Sequence, residues 1–264
     1  MNTLLDIKNL SVSYPHKEGF LTALSDINFS VKHGDIIGVA GESGSGKSTL
    51  ALTILNLVSF FGAETKGEIL FEQKNLLKLH DDALRQIRGK TISLIFQNPW
   101  NVLDPLFTIE NQFKEFIQAH HKDFGQEEIK KIIISSLSYS QLPSNENFLS
   151  LYPHQLSGGM LQRVAIAMAT ALSPKLLIAD EPTSSLDVTT QAEIIRFLKK
   201  IWEKKNMSII FISHDLALLS QICHSIIIIK DGKLIENAPT KEIFLNPKED
   251  YTKKLLNSIP KIEF

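Results

Sequence analysis

Short, nearly continuous apolar runs alternate along the chain with longer segments in which apolar residues recur every three or four positions. The runs at residues 35–40, 91–96, 175–179 and Ser208–Ile212 are rich in Ile, Val and Leu and predict buried strands. Helical spacing follows: after Lys47, over about residues 159–172, and over about residues 189–202. That alternation predicts an α/β protein with a mostly parallel sheet. Leu50, Ile54, Leu57, Val58 and Phe61 share one face at helical spacing and predict a buried helix after Lys47. Met160, Val164, Ala167, Met168 and Ala171 form another stripe, which reads as core packing.

Two regions break the alternation. Strand-like pieces at residues 4–8, 12–14, 27–31 and 68–71 predict an antiparallel layer beside the main sheet. From about residue 100 to 153 only helical periodicity is present, which predicts an inserted helical subdomain. Residues 225–237 read as a hairpin turning at Asp231-Gly232. There is no internal repeat and no low-complexity linker.

Composition narrows the function classes. The 264 residues carry 28 Lys+Arg against 29 Asp+Glu, a formal net charge of −1, so no whole-chain basic field holds nucleic acid. The single cysteine, Cys223, makes no internal disulfide and no cysteine-ligated metal centre. The uncharged stretch 48–63 is shorter than the ~20 residues a membrane span requires, and no secretory signal is visible at Met1. The expectation is a cytosolic chain whose membrane role, if any, runs through a partner.

The strongest chemical signal is Gly41-Glu42-Ser43-Gly44-Ser45-Gly46-Lys47-Ser48-Thr49, lying between a predicted strand and a predicted helix. Its glycines let successive backbone N–H groups converge on an anion, and the helix that follows adds its positive end. Lys47 is placed to reach the β- and γ-phosphates and Ser48 to offer a hydroxyl to Mg²⁺. The second signal is the apolar run Leu176–Ala179 ended by Asp180 and Glu181. Carboxylates at the end of a buried strand lie where open α/β sheets bind ligands. Asp180 suits Mg²⁺, directly or through water, and Glu181 suits a base or water-positioning group at the γ-phosphate.

Leu156-Ser157-Gly158-Gly159-Met160, upstream of that pair, resembles the signature motif of ATP-binding cassette (ABC) proteins. Physically it is a second candidate anion site, built from a serine hydroxyl, glycine amides and a helix start. The resemblance implies a P-loop, RecA-like core and a head-to-tail dimer in which Ser157, Gly158, Gly159 and Met160 close on the nucleotide of the other subunit. It also assigns Gln97 as the glutamine that touches Mg²⁺ or the attacking water and links to a membrane subunit. Ser185-Leu186-Asp187 is similar to the D-loop, His214 to the switch histidine at the γ-phosphate, and Tyr14 to the aromatic that stacks on adenine.

The segments from Tyr152 to Val164 and from Asp180 to Val188, with the tail Tyr251-Thr252-Lys253-Lys254-Leu255-Leu256-Asn257-Ser258-Ile259-Pro260, resemble the D-type ATPases of peptide/nickel importers. That resemblance implies a cassette over residues 1–240, with a helical subdomain at about 100–165, and a family-specific tail over 241–264. It implies ATP and Mg²⁺ as cofactors and uptake of peptides or of nickel and other metal chelates. The implied partners are a second ATPase (an F- or E-type paralogue, or a second copy), two transmembrane permease subunits and, indirectly, an extracytoplasmic substrate-binding protein. The implied location is peripheral, on the cytoplasmic face of the inner membrane. Met160 replaces the commoner glutamine of the signature, and Glu249-Asp250 stand where His-Pro often precedes the tail's Tyr-Thr. A cysteine-bearing C-terminal extension, found in longer peptide-importer relatives, is missing, which is more like the nickel or metallophore members. The alternatives are a soluble cassette ATPase without transport, and a nucleotide-binding subunit with a weakly hydrolysing site.

Overall fold

A computed structural model describes residues 3–184 and 186–258. In chain order it contains β1 (Thr3–His16), β2 (Gly19–Lys32), β3 (Ile36–Ala40), α1 (Lys47–Ile54), β4 (Glu64–Phe71), β5 (Lys74–Asn75), α2 (Asp81–Ile87) and β6 (Ile92–Ile95). Helices α3 (Ile109–His120), α4 (Gln126–Tyr139), α5 (Glu146–Leu149) and α6 (Gly158–Ala171) follow. The chain continues through β7 (Leu176–Asp180), α7 (Val188–Lys205), β8 (Ser208–Ile212), α8 (Leu216–Ile222), β9 (Ser225–Lys230), β10 (Lys233–Pro239), α9 (Thr240–Leu245) and α10 (Asp250–Asn257). Two compact units result, one of residues 1–84 with 208–264, the other of residues 85–207. Met1 and the tail residues Ile259 and Pro260 lie outside the described residues, as does Ser185.

The first unit holds both kinds of sheet. β1 pairs antiparallel with β2 and β4, and β4 with β5, so the four amino-terminal strand pieces read from the sequence belong to three longer strands. β3 pairs parallel with β8 and with β9, and β9 turns back antiparallel onto β10. Every residue of β3 and β8 is buried. Their unbroken apolar character thus follows from cover on both faces, as expected of parallel strands.

The helix after Lys47 departs from its pattern. α1 stops at Ile54, Asn56 takes the left-handed conformation at φ 50°, and Val58–Phe61 forms a separate 3₁₀ turn. Leu50, Ile54 and Val58 are buried, but Phe61 is 63% exposed beside an equally exposed Phe60. The expectation that Phe61 joins the buried face is corrected, because the break at Asn56 rotates the periodicity away from the core.

The second unit pairs β6 parallel with β7 and carries helices α3 to α7. Ile109, Phe113 and Ile117 of α3 and Ile129, Ile133 and Leu137 of α4 recur every fourth residue, and pack with Leu161, Val164 and Ala167 of α6 in one core. Met160 and Met168 pack against its edge, as the stripe predicts. Side-chain caps set the starts of α3 and α5: the hydroxyl of Thr108 accepts the Asn111 N–H at 3.3 Å, and Asn145 accepts the Phe148 N–H at 2.9 Å. Among the described residues, no helix is long and apolar enough to cross a membrane.

Candidate functional site

The phosphate loop spans the gap between β3 and α1 in the first unit. α1 has no side-chain cap; its N-cap is Gly46 in the left-handed region at φ 105°. The first N–H groups of a helix need an acceptor from elsewhere, and an anion supplies one. Lys47 is 5% exposed and folds back into the loop, its Nζ donating to the carbonyls of Gly41 at 2.9 Å and Glu42 at 2.7 Å. The ammonium is thereby held inside the loop's curve, while Glu42, Ser43, Gly44 and Ser48 remain exposed and Thr49 is half-buried.

The glycine at position 41 is required sterically. A Cβ there stands 2.1 Å from the Ile229 carbonyl oxygen and 2.7 Å from Ser45 Oγ. The β9–β10 turn braces the same loop, with the Gly232 N–H donating to the Ser45 carbonyl at 3.0 Å and the Ser25 N–H donating to the Gly232 carbonyl at 2.8 Å. The Asp231-Gly232 turn is legible in sequence; its bracing of the phosphate loop is not, because the two lie far apart along the chain.

His214 belongs to the same unit. The Ser213 N–H donates to the Val39 carbonyl at 3.1 Å, so His214 emerges exposed at the carboxyl edge of β8, beside the strand that leads into the loop. Asp215 caps α8 by accepting the Leu218 N–H at 3.1 Å and fixes the chain direction after the histidine. Tyr14 is half-buried on β1 opposite Leu21 of β2.

The second unit gathers the carboxylates and the glutamine. Asp180 ends β7 and is only 8% exposed. Glu181, the next residue, adopts the left-handed conformation at φ 45°. A non-glycine residue there carries strain on the order of 1–3 kcal/mol and is held by its surroundings. Gln97, just past β6, provides one such hold, its Nε2 donating to Glu181 Oε2 at 2.9 Å. Ser184 provides another, its Oγ donating to the Glu181 carbonyl at 3.2 Å. Gln97 and Glu181, distant in sequence, are thus brought together.

The signature residues open α6, where Ser157 Oγ accepts the Met160 N–H at 3.3 Å. Ser157 and Gly158 remain exposed, and Ser157, Gly159 and Met160 border a cavity of about 280 Å³ with Arg163 and Thr190. A Cβ on Gly159 stands 3.1 Å from Thr190 Cγ2. Thr190 is fixed by Asp187, the N-cap of α7, which accepts its N–H at 3.0 Å and its hydroxyl at 2.7 Å. These two bonds hold the Asp187 carboxyl below its ordinary range. Arg163 pairs with Glu193, tying α6 to α7. Thr190, a residue the motif reading passes over, therefore stands where a side chain at position 159 would have to go. Ser185 of the D-loop lies outside the described residues.

The oxygen donors assigned to Mg²⁺ are chemically apt: the exposed Ser48 hydroxyl, the Asp180 carboxylate and the Gln97 amide are hard ligands. Among the described residues no group of three or more His, Cys, Asp or Glu could cage a metal. Nucleotide-bound Mg²⁺ needs no such cage, since it takes most of its ligands from phosphate and water.

Comparison with known proteins gives the family. The ABC transporter family matches residues 24–184. The dipeptide transport ATP-binding protein DppD of Haemophilus influenzae is 42% identical over 258 residues, 97% of this chain and 78% of that protein. The oligopeptide transport ATP-binding protein OppD of the same organism is 40% identical over 263 residues, covering 100% of this chain and 81% of its own. Among solved structures, the ATP-binding cassette MJ0796 in a post-hydrolysis dimer with ADP and Pi superposes with a TM-score of 0.79 at 31% identity, covering 89% of this chain and 98% of that one. CbiO1 of Clostridium perfringens also gives 0.79, at 27% identity over 99% of this chain and 98% of its own. With its uncapped phosphate loop, its paired carboxylates and its signature helix, the chain belongs to the ABC transporter family and is an ATP-binding cassette ATPase.

Proposed function

We propose that the chain is the ATP-hydrolysing subunit of an importer for di- or oligopeptides, working on partner transmembrane subunits as half of a nucleotide-bridged pair. The observation that carries the catalytic part is the Gln97–Glu181 hydrogen bond at 2.9 Å, which orients a carboxylate at a strand end instead of leaving it in solvent. The loop amides and Lys47 hold the phosphates, Glu181 positions or deprotonates the attacking water, and His214 contacts the γ-phosphate. Ser48, Asp180 and Gln97 would be the residues that hold Mg²⁺, which would supply charge neutralisation at the phosphates. Ser157, at the start of α6, serves the nucleotide of the opposing subunit, and Tyr14 stacks on the base.

An exposed apolar run supports the membrane-partner assignment. Phe96, Trp100, Val102, Leu106 and Phe107 are all exposed in the segment that begins next to Gln97, and Leu106 is 79% exposed. Apolar side chains concentrated so closely mark an interaction surface. A partner seated there is connected to the catalytic carboxylate through Gln97. The peptide cargo rests on the names of the two sequence relatives, a dipeptide and an oligopeptide transport protein. The second ATPase, the permeases and the binding protein are proposed with it, as is peripheral attachment to the cytoplasmic face of the membrane.

The test is uptake by the assembled transporter reconstituted in liposomes. Labelled dipeptide or oligopeptide should accumulate only with internal ATP, and Glu181→Gln should abolish accumulation. Uptake of a nickel chelate in place of peptide would overturn the cargo, and uptake undiminished by Glu181→Gln would overturn the assignment of the base.

A further inference from the structure

The segment that follows the β9–β10 hairpin returns to the phosphate loop. Glu236 of β10 is 7% exposed, and its two carboxylate oxygens accept the Lys248 N–H at 2.9 Å and the Glu249 N–H at 3.2 Å. These bonds pin the entry to α10 on the hairpin whose turn braces the loop. Pinned there, Tyr251 in the first turn of α10 reaches the loop, where the Glu42 N–H donates to its hydroxyl at 3.4 Å. The Lys230 ammonium lies 4.9 Å from the centroid of the Tyr251 ring and holds the ring from the hairpin side. Burial, with the neighbouring carboxylates of Glu42 and Asp231, pushes the phenol up, so its hydroxyl stays neutral through the physiological range.

Three points of the loop's first half are thereby fixed from outside: Gly41 against the Ile229 carbonyl, Ser45 by the Gly232 N–H, and Glu42 by Tyr251. The carbonyls of Gly41 and Glu42 are also the ones that hold Lys47. We infer that Tyr251 is a positioning residue for nucleotide binding: docked by Glu236, it sets the conformation of the loop's entry and, through the Glu42 peptide, the position of Lys47. Tyr251 touches no substrate itself; it acts through the loop. Resting on the nucleotide-binding reading above, this gives the tail after residue 240 a role within its own subunit.

The test uses the purified full-length chain, with ATP·Mg²⁺ binding measured by titration calorimetry and hydrolysis measured at saturating ATP. Tyr251→Phe keeps the ring and its contact with Lys230 and removes only the hydroxyl. One lost hydrogen bond of ordinary net strength should weaken ATP binding about two- to tenfold, raising KM while kcat at saturation is unchanged. Glu236→Ala, which unpins the tail, should weaken binding at least as much, and adding Tyr251→Phe to it should then cost nothing more. Lys253→Ala, which breaks only the exposed Asp250–Lys253 pair within α10, should bind ATP as the wild type does. Equal affinity of Tyr251→Phe and wild type, or a full additional loss in the double variant, overturns the inference. A wild-type chain that binds no ATP overturns the nucleotide-binding reading instead.

Discussion

Gly232→Ala places a methyl group where the β9–β10 turn meets β2. The new Cβ would stand 2.6 Å from the Ala23 carbonyl oxygen and 3.0 Å from the Ala23 carbonyl carbon, both backbone atoms with little room to yield. Gly232 also has φ +74°, a left-handed conformation that costs an L-residue about 1–2 kcal/mol. The collision forces the turn from β2 and with it the two hydrogen bonds of Gly232, to Ser25 and Ser45, each worth about 1 kcal/mol net. The total is about 3–4 kcal/mol. Gly44 isolates the strain alone, because its φ is +79° and a Cβ there meets nothing within 4 Å. Gly44→Ala should therefore lose only about 1–2 kcal/mol. Urea unfolding of both variants without nucleotide reads the difference, which should be about 2 kcal/mol in favour of Gly44→Ala. Equal losses would refute the reasoning, since they would show that the turn does not brace the loop.

Three further outcomes follow from other contacts. Gln97→Ala removes the donor that orients Glu181 and should lower kcat about 10- to 100-fold with a much smaller change in KM, read from steady-state ATP hydrolysis. Asp187→Asn should be less stable than wild type at neutral pH. Because the folded-state pKa of Asp187 is depressed, its contribution is present above the ordinary carboxylate pKa and is lost as pH falls through the depressed value, so thermal melts should converge on acidification. Cys223 is buried and burial pushes its thiol far up, so iodoacetamide should label it only with the urea-induced unfolding of its surroundings and not in the native protein.

Much of the fold is visible in local pattern. The runs at 91–96 and 175–179 lie within one or two residues of β6 and β7, and Ser208–Ile212 coincides with β8, because strands buried on both faces need apolar residues throughout. The site motifs are equally local: a phosphate loop, a strand ending in carboxylates and a signature helix each carry their chemistry in consecutive residues. Periodicity failed after Ile54, where a left-handed Asn56 ends α1 and turns Phe61 outward. Asparagine adopts that conformation at low cost, and five apolar residues at helical spacing masked it. What no window along the chain could show are the long-range couplings: Gln97 on Glu181, Arg163 on Glu193, Gly232 on Ser45, and Tyr251 on Glu42. Each joins segments by a single hydrogen bond or packing contact, and such contacts impose no periodicity on the sequence.

The central claim is that Glu181 drives ATP hydrolysis in a nucleotide-bridged pair, and one variant tests it most directly. Glu181→Gln keeps the shape and the hydrogen-bonding capacity toward Gln97 but removes the carboxylate. Mixed with ATP·Mg²⁺ and followed by size-exclusion chromatography and phosphate release, it should retain ATP, elute as a dimer and release no phosphate, while the wild type turns over. Phosphate release by Glu181→Gln at the wild-type rate would contradict the account.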